Sequence, residues 1–162
     1  MQNGYALCTR EGLTAIMHLL ATASEGVLDT LRGQLAIGLH RNVEVTDGSR
    51  RHVSQAYCSA LPVGYSSLPH SDWELFARLV LQASYEATLL AAVEQASSGG
   101  SNKVLLTRIG GGVFANGDNW INSAIERALV IVKDAGLDIS IVAYGYVSPD
   151  VQAIVDRYER PL

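Results

Sequence analysis

Three consecutive glycines, Gly110-Gly111-Gly112, stand between a short apolar run and the start of a helical pattern. Glycine weakens a backbone, so three in a row imply that the turn needs positive φ or that something approaches the main chain closely. The run before them, Lys103-Val104-Leu105-Leu106-Thr107-Arg108-Ile109, has the continuous apolar character of a central parallel strand. The stretch after them, Asp118 to about Ala135, carries Trp120, Ile121, Ala124, Ile125, Ala128, Leu129 and Val132 on one helical face. A loop in this position offers an anion unpaired main-chain N–H groups and the positive end of a helix dipole. A phosphate or diphosphate is the natural guest. Val113 and Phe114 would give apolar cover beside a sugar, and Asn116 a polar contact. The pattern is neither a Walker loop, because no Gly-Lys-Ser/Thr follows, nor the GxGxxG dinucleotide fingerprint. The competing reading is a tight strand-to-helix turn that holds nothing.

Other side chains compete for chemistry on weaker grounds. Asp118 beside the loop is a candidate general base, since a carboxylate near a sugar can activate water. Its place before Asn119-Trp120 fits a helix N-cap better. Cys8 and Cys58 match no metal-ligand or redox spacing. They are expected to be reduced thiols behaving as small hydrophobes, ahead of a nucleophilic role for Cys58. His40 has no second histidine or carboxylate at metal spacing, so no metal is expected. His70 and Asp72 lie in a loop after a predicted strand, the end of a sheet where chemistry occurs, although a plain connection explains them equally. Trp73 and Trp120 are expected to brace helix starts, and Trp120 could also wall a pocket.

The elements that must position these residues alternate. A helix is expected from Thr9, as N-cap, to about Ala23. Extended segments follow at Gly33–His40 and Val43–Thr46, then a turn at Asp47-Gly48-Ser49 and a strand over His52–Val63. A turn-rich loop leads to a long helix from Trp73 to about Ala96, capped by Ser71 or Asp72 and apolar over most of its circumference. After the glycine loop and its helix, closed by Gly136, a buried strand runs over Leu137–Val147. A last helix opens on Ser148-Pro149-Asp150 and ends by Arg160-Pro161. This order predicts an α/β chain: three layers, α/β/α, around a central mixed, largely parallel sheet. All 162 residues fit a single domain.

Composition sets outer bounds. Twelve Lys and Arg against sixteen Asp and Glu leave a net charge of −4 with no basic run, which argues against a nucleic-acid surface. No stretch reaches the roughly 18 apolar residues of a membrane span, and the first residues lack the basic start and apolar run of a signal peptide. A cytoplasmic location is the expectation. Charged residues make up only 17% against 48% hydrophobic. So lightly charged a surface points to a partner, or to chain that covers part of this one.

The strand–loop run from Lys103 to Asn116, its helix, and Ile139-Ser140-Ile141-Val142-Ala143-Tyr144-Gly145 together resemble the C-terminal half of a macro domain. In that family a strand feeds a loop of the form (S/G)-(T/G)-G-(V/I)-(F/Y)-G-x-P whose main chain wraps the diphosphate and distal ribose of ADP-ribose. The resemblance implies this role for Gly110, Gly111, Gly112, Val113, Phe114 and Ala115, with Asn116 beside them. It implies an adenine-stacking role for Tyr144, with Tyr146 as a near alternative. The function it implies is binding of ADP-ribose or a related NAD-derived nucleotide, with no separate cofactor. The alternatives are an ADP-ribosyl hydrolase and a scaffold that binds nothing. The departures are specific. Ala115-Asn116-Gly117 replaces the usual Gly-x-Pro, the Gln-Glu-Glu motif of poly(ADP-ribose) glycohydrolases is missing, and nothing matches the family's opening strands with their adenine-reading aspartate. No catalytic residue carries over, and the missing half of the pocket is expected on a second copy or another chain, on opening strands lost from this sequence, or to be replaced.

Overall fold

A computed structural model describes residues 4–159, so the expected end of the last helix at Arg160-Pro161 lies outside them. The first helix, α1 (Arg10–Thr22), starts where Thr9 caps it: the Thr9 hydroxyl oxygen accepts from Gly12 N at 3.1 Å. This bond satisfies one of the donors that a helix start leaves open. Thr9→Ala is therefore expected to cost about 1 kcal/mol in urea unfolding, with Leu13 still buried. A second helix, α2 (Glu25–Gly33), forms where no helix was expected. Ser24 before Glu25, and the spacing of Val27, Leu28 and Leu31, were its signals. Its Arg32 is buried and donates to Gln82, Glu25 and Asp29.

Strands β1 (Gly38–Glu44) and β2 (His52–Tyr57) pair antiparallel, from Gly38 opposite Tyr57 to Glu44 opposite His52. The register shifts between His40 and Val43, where Asn42 takes φ 56°. Strand β2 is shorter than the expected His52–Val63. Beyond Tyr57 the chain leaves the hairpin, and Ala60, Leu61 and Val63 turn into the core. Two 3₁₀ turns, Val63–Tyr65 and His70–Trp73, then lead into the long helix α3 (Glu74–Ser97). Trp73 is wholly buried at its start, so it braces the helix as expected, while the expected cap by Ser71 or Asp72 is replaced by the 3₁₀ turn.

Strand β3 (Lys103–Thr107), helix α4 (Asp118–Val132) and strand β4 (Asp138–Val142) form a strand–helix–strand unit. The two strands are parallel, from Lys103 opposite Asp138 to Thr107 opposite Val142. Gly136 takes φ 68° just past α4, as its type predicts. Helix α5 (Pro149–Tyr158) opens on Ser148, whose side chain accepts from Val151 N. The core lies among α1, α3, α4 and the inner face of the parallel pair: Leu13, Trp73, Leu81, Leu89, Leu106, Ile121 and Ile125 form one cluster, with Val104, Ile139 and Ile141 packed against it.

The chain is thus α/β. Its strands, however, pair two by two instead of forming one central sheet. The Lys103–Ile109 run is not buried on both sides. Burial alternates along it, and Leu105 is 76% exposed while Leu106 is buried. The helices cover one face of the pair, and the other faces outward.

Candidate functional site

The glycine loop leaves the C-terminal end of β3, and its exit is pinned from below. Tyr85, buried in α3, donates its hydroxyl to Thr107 O (3.0 Å) and accepts from Ile109 N (2.8 Å). Burial pushes this phenol far above its ordinary value, which keeps it a neutral donor. The backbone then turns at Gly110, φ 85°, where an added Cβ would lie 2.4 Å from that of Ala60 and 2.9 Å from Asn116 Nδ2. Both the left-handed backbone and the close approach require glycine here. Gly112 needs it for conformation alone: φ is 59°, with open space around the Cβ position.

Asn116 closes the loop from inside. It is 5% exposed, and its Nδ2 donates to Leu61 O (2.8 Å) and Gly110 O (3.1 Å). Its own N–H donates to Gly110 O at 2.9 Å. Ala115, before it, sits at φ 53°, outside glycine's usual monopoly on that region. Its carbonyl oxygen lies 2.8 Å from His70 Nε2; a carbonyl only accepts, so Nε2 carries the proton. The imidazole stacks on Trp120, with ring centroids 4.4 Å apart and planes at 21°. A third brace is steric: a Cβ on Gly64 would meet Val113 O at 2.5 Å. Finally, Tyr5, Tyr65 and Phe114 meet edge-on in a triangle with centroid separations of 4.9, 5.6 and 6.0 Å.

What this bracing leaves free is the outer main chain. Among the described residues, the N–H groups of Gly111, Gly112 and Val113 have no protein acceptor; that of Phe114 turns back toward Gly111 O in the 3₁₀ turn Gly112–Phe114, and those of Ala115 and Asn116 are used within the loop. Gly111, Gly112 and Val113 are exposed. Helix α4 follows at once, with Gly117 as its N-cap and no side-chain cap bond.

Other candidates fall differently. Asp118 is not the N-cap. It is the first residue of α4, and its Oδ1 accepts from Arg108 Nη2 at 2.7 Å. With Gly117 at the cap position, the helix starts one residue earlier than the motif suggested. Arg108 also reaches Asn122 Oδ1 at 3.2 Å, tying the strand exit to the first turns of α4. Tyr144 lies beyond β4, and the parallel register puts it at the same end of the pair as the glycine loop. Its side chain is fully exposed and pairs with no ring among the described residues. Tyr146 is similarly exposed.

Cys58 is half-buried, 3.9 Å from the Thr88 hydroxyl. Burial pushes the Cys8 thiol up, away from thiolate chemistry. His40 and His52 lie exposed on the hairpin, and no group of three His, Cys, Asp or Glu among the described residues is placed to hold a metal. Asp72 lies 4.0 Å from Arg10, an exposed and loose pair.

Sequence reasoning missed Tyr5, Gly64, Tyr65 and Tyr85. Tyr65 and Gly64 stand in a stretch rich in turn formers, and Tyr85 interrupts the small residues of α3. The packing of these residues on a loop some 25 to 105 positions away leaves no periodic mark.

Fold and loop together define the class of molecule: an α/β chain with a rigidly braced, outward-facing glycine loop at the C-terminal end of a parallel strand pair, where open α/β sheets bind ligands. No protein-family model, no curated protein and no solved structure matches the chain.

Proposed function

We propose that the chain binds ADP-ribose or a related NAD-derived nucleotide through Gly110–Asn116. One observation carries this reading: three successive N–H groups, Gly111 to Val113, are left without protein acceptors among the described residues on a loop that is otherwise held at every turn. A loop that served only to connect β3 to α4 would not require such bracing. Backbone donors held in place beside a helix start favour a diphosphate without any lysine, which suits a chain of net charge −4. The macro-domain resemblance supplies the identity of the nucleotide. Phe114, with Tyr65 and Tyr5 behind it, gives apolar cover for a ribose ring beside those donors. Tyr144, exposed at the same end of the strands, is available to a base.

Asp118, the carboxylate next to the loop among the described residues, is engaged by Arg108, so binding is the better-supported reading ahead of hydrolysis. Titration calorimetry tests it. ADP-ribose is expected to bind more tightly than ADP, and inorganic pyrophosphate more weakly than both. Absence of heat at millimolar ADP-ribose would overturn the proposal in favour of a scaffold. Release of ADP-ribose from a modified protein would move it to hydrolysis.

A further inference from the structure

The β3–β4 pair has a face that the helices do not cover. Lys103, Leu105 and Thr107 on β3 and Asp138, Ser140 and Val142 on β4 point outward, all exposed. The face continues into Tyr144, Tyr146 and Val147, all exposed. Parallel strands are normally covered on both sides, and a two-stranded sheet is marginal alone.

We propose that this face is a self-association surface, on which a second copy of the chain packs its own β3–β4 face about a twofold axis running along the strands. Two quantities select this occupant. The first is area. With Tyr144 left to the nucleotide, Lys103, Leu105, Thr107, Val142, Tyr146 and Val147 expose on the order of 600 Å² per copy, so mutual burial removes about 1,200 Å², the lower bound for a specific interface.

The second is charge. Lys103 and Asp138 are register partners, side by side at one end of the face. A twofold axis along the strands lays β3 over the partner copy's β4 at equal height. Each copy's lysine then meets the other's aspartate, giving two intermolecular ion pairs, and Leu105 lies over the Ser140–Val142 region. A twofold axis across the strands would instead set Lys103 over Thr107 and leave both charges unmatched. Self-complementarity of this kind is what an isologous interface requires.

Sedimentation velocity from micromolar to millimolar protein tests the proposal, and the expected mass rises from 17.4 kDa to twice that value. Leu105→Asp changes an exposed side chain, so the circular dichroism spectrum stays constant while the dimer is lost. Lys103→Glu sets like charges against each other twice and weakens association about tenfold. The double variant Lys103→Glu with Asp138→Lys restores it. A monomer mass at millimolar concentration, a dimer indifferent to Leu105→Asp, or a double variant no stronger than Lys103→Glu would each overturn the proposal.

Discussion

Gly111→Glu is expected to weaken ADP-ribose binding by on the order of 100-fold, about 2.7 kcal/mol, while leaving the fold intact. Gly111 differs from its two neighbours in a way that makes this test clean. Its φ of −67° and ψ of −173° are extended backbone open to any residue, and an added Cβ meets only Ile121 Cδ1, at 3.9 Å. A side chain there disturbs neither conformation nor packing, so urea unfolding should shift by no more than about 0.5 kcal/mol. The carboxylate it carries would reach the N–H groups of Gly112 and Val113, where it both fills the seat and repels a diphosphate. Gly111→Ala, with the methyl but no charge, separates the two effects: it should retain most of the affinity. Calorimetry on the pair decides the matter, and an affinity unchanged by glutamate would remove the loop from the binding site.

The contrast among Gly110, Gly111 and Gly112 shows what a sequence can and cannot carry. Three adjacent glycines after an apolar run and before a helical face are legible as a special turn, because the alternatives at each position are sterically poor. Which glycine serves the turn, which serves close approach and which leaves room for a guest depends on residues far away: Ala60 for Gly110, nothing at all for Gly112. Asn116 was legible as a polar residue at the loop, but in the structure it faces inward to Leu61 and Gly110. Its role became structural because the neighbouring segment, read as a strand to Val63, leaves the hairpin at Tyr57 and passes under the loop.

Helices α1 and α5, with a side-chain cap and one apolar face, and α4, with its apolar face alone, were found within a few residues, since these signals are local. Helix α2 was not: its apolar positions are few and it is short, although Asp29 and Arg32 stand at the i,i+3 spacing of a helical ion pair. The sheets were read least well. Alternation and continuous apolarity describe a strand's faces, whereas the number of strands that join it depends on which edges find partners.

Those inward bonds make Asn116 the residue on which the loop's shape depends most. Asn116→Ala removes the side-chain donor to Leu61 O and Gly110 O, which keep one partner each in Val63 N–H and Asn116 N–H, and leaves a small void, so a loss of about 2 kcal/mol in urea unfolding is expected, at about 1 kcal/mol per lost hydrogen bond. Asn116→Asp distinguishes lost bonds from lost volume. The side chain keeps its shape, but at neutral pH an unpaired carboxylate would face two carbonyl oxygens in a site only 5% exposed. That environment raises the folded-state pKa of the introduced carboxyl above its unfolded value. The folded state then binds the proton more tightly, so stability rises as pH falls through the raised pKa and is lost as pH climbs past it. Protonated, the same group donates one hydrogen bond in place of the amide and recovers part of the deficit. The expected result is a variant less stable than Asn116→Ala at pH 8 that overtakes it near pH 5. The Asn116→Ala curve, which introduces no titrating group, should keep a constant offset from the parent. Parallel curves for the two variants would mean that Asn116 fills space at the base of the loop and its amide donor does not hold it.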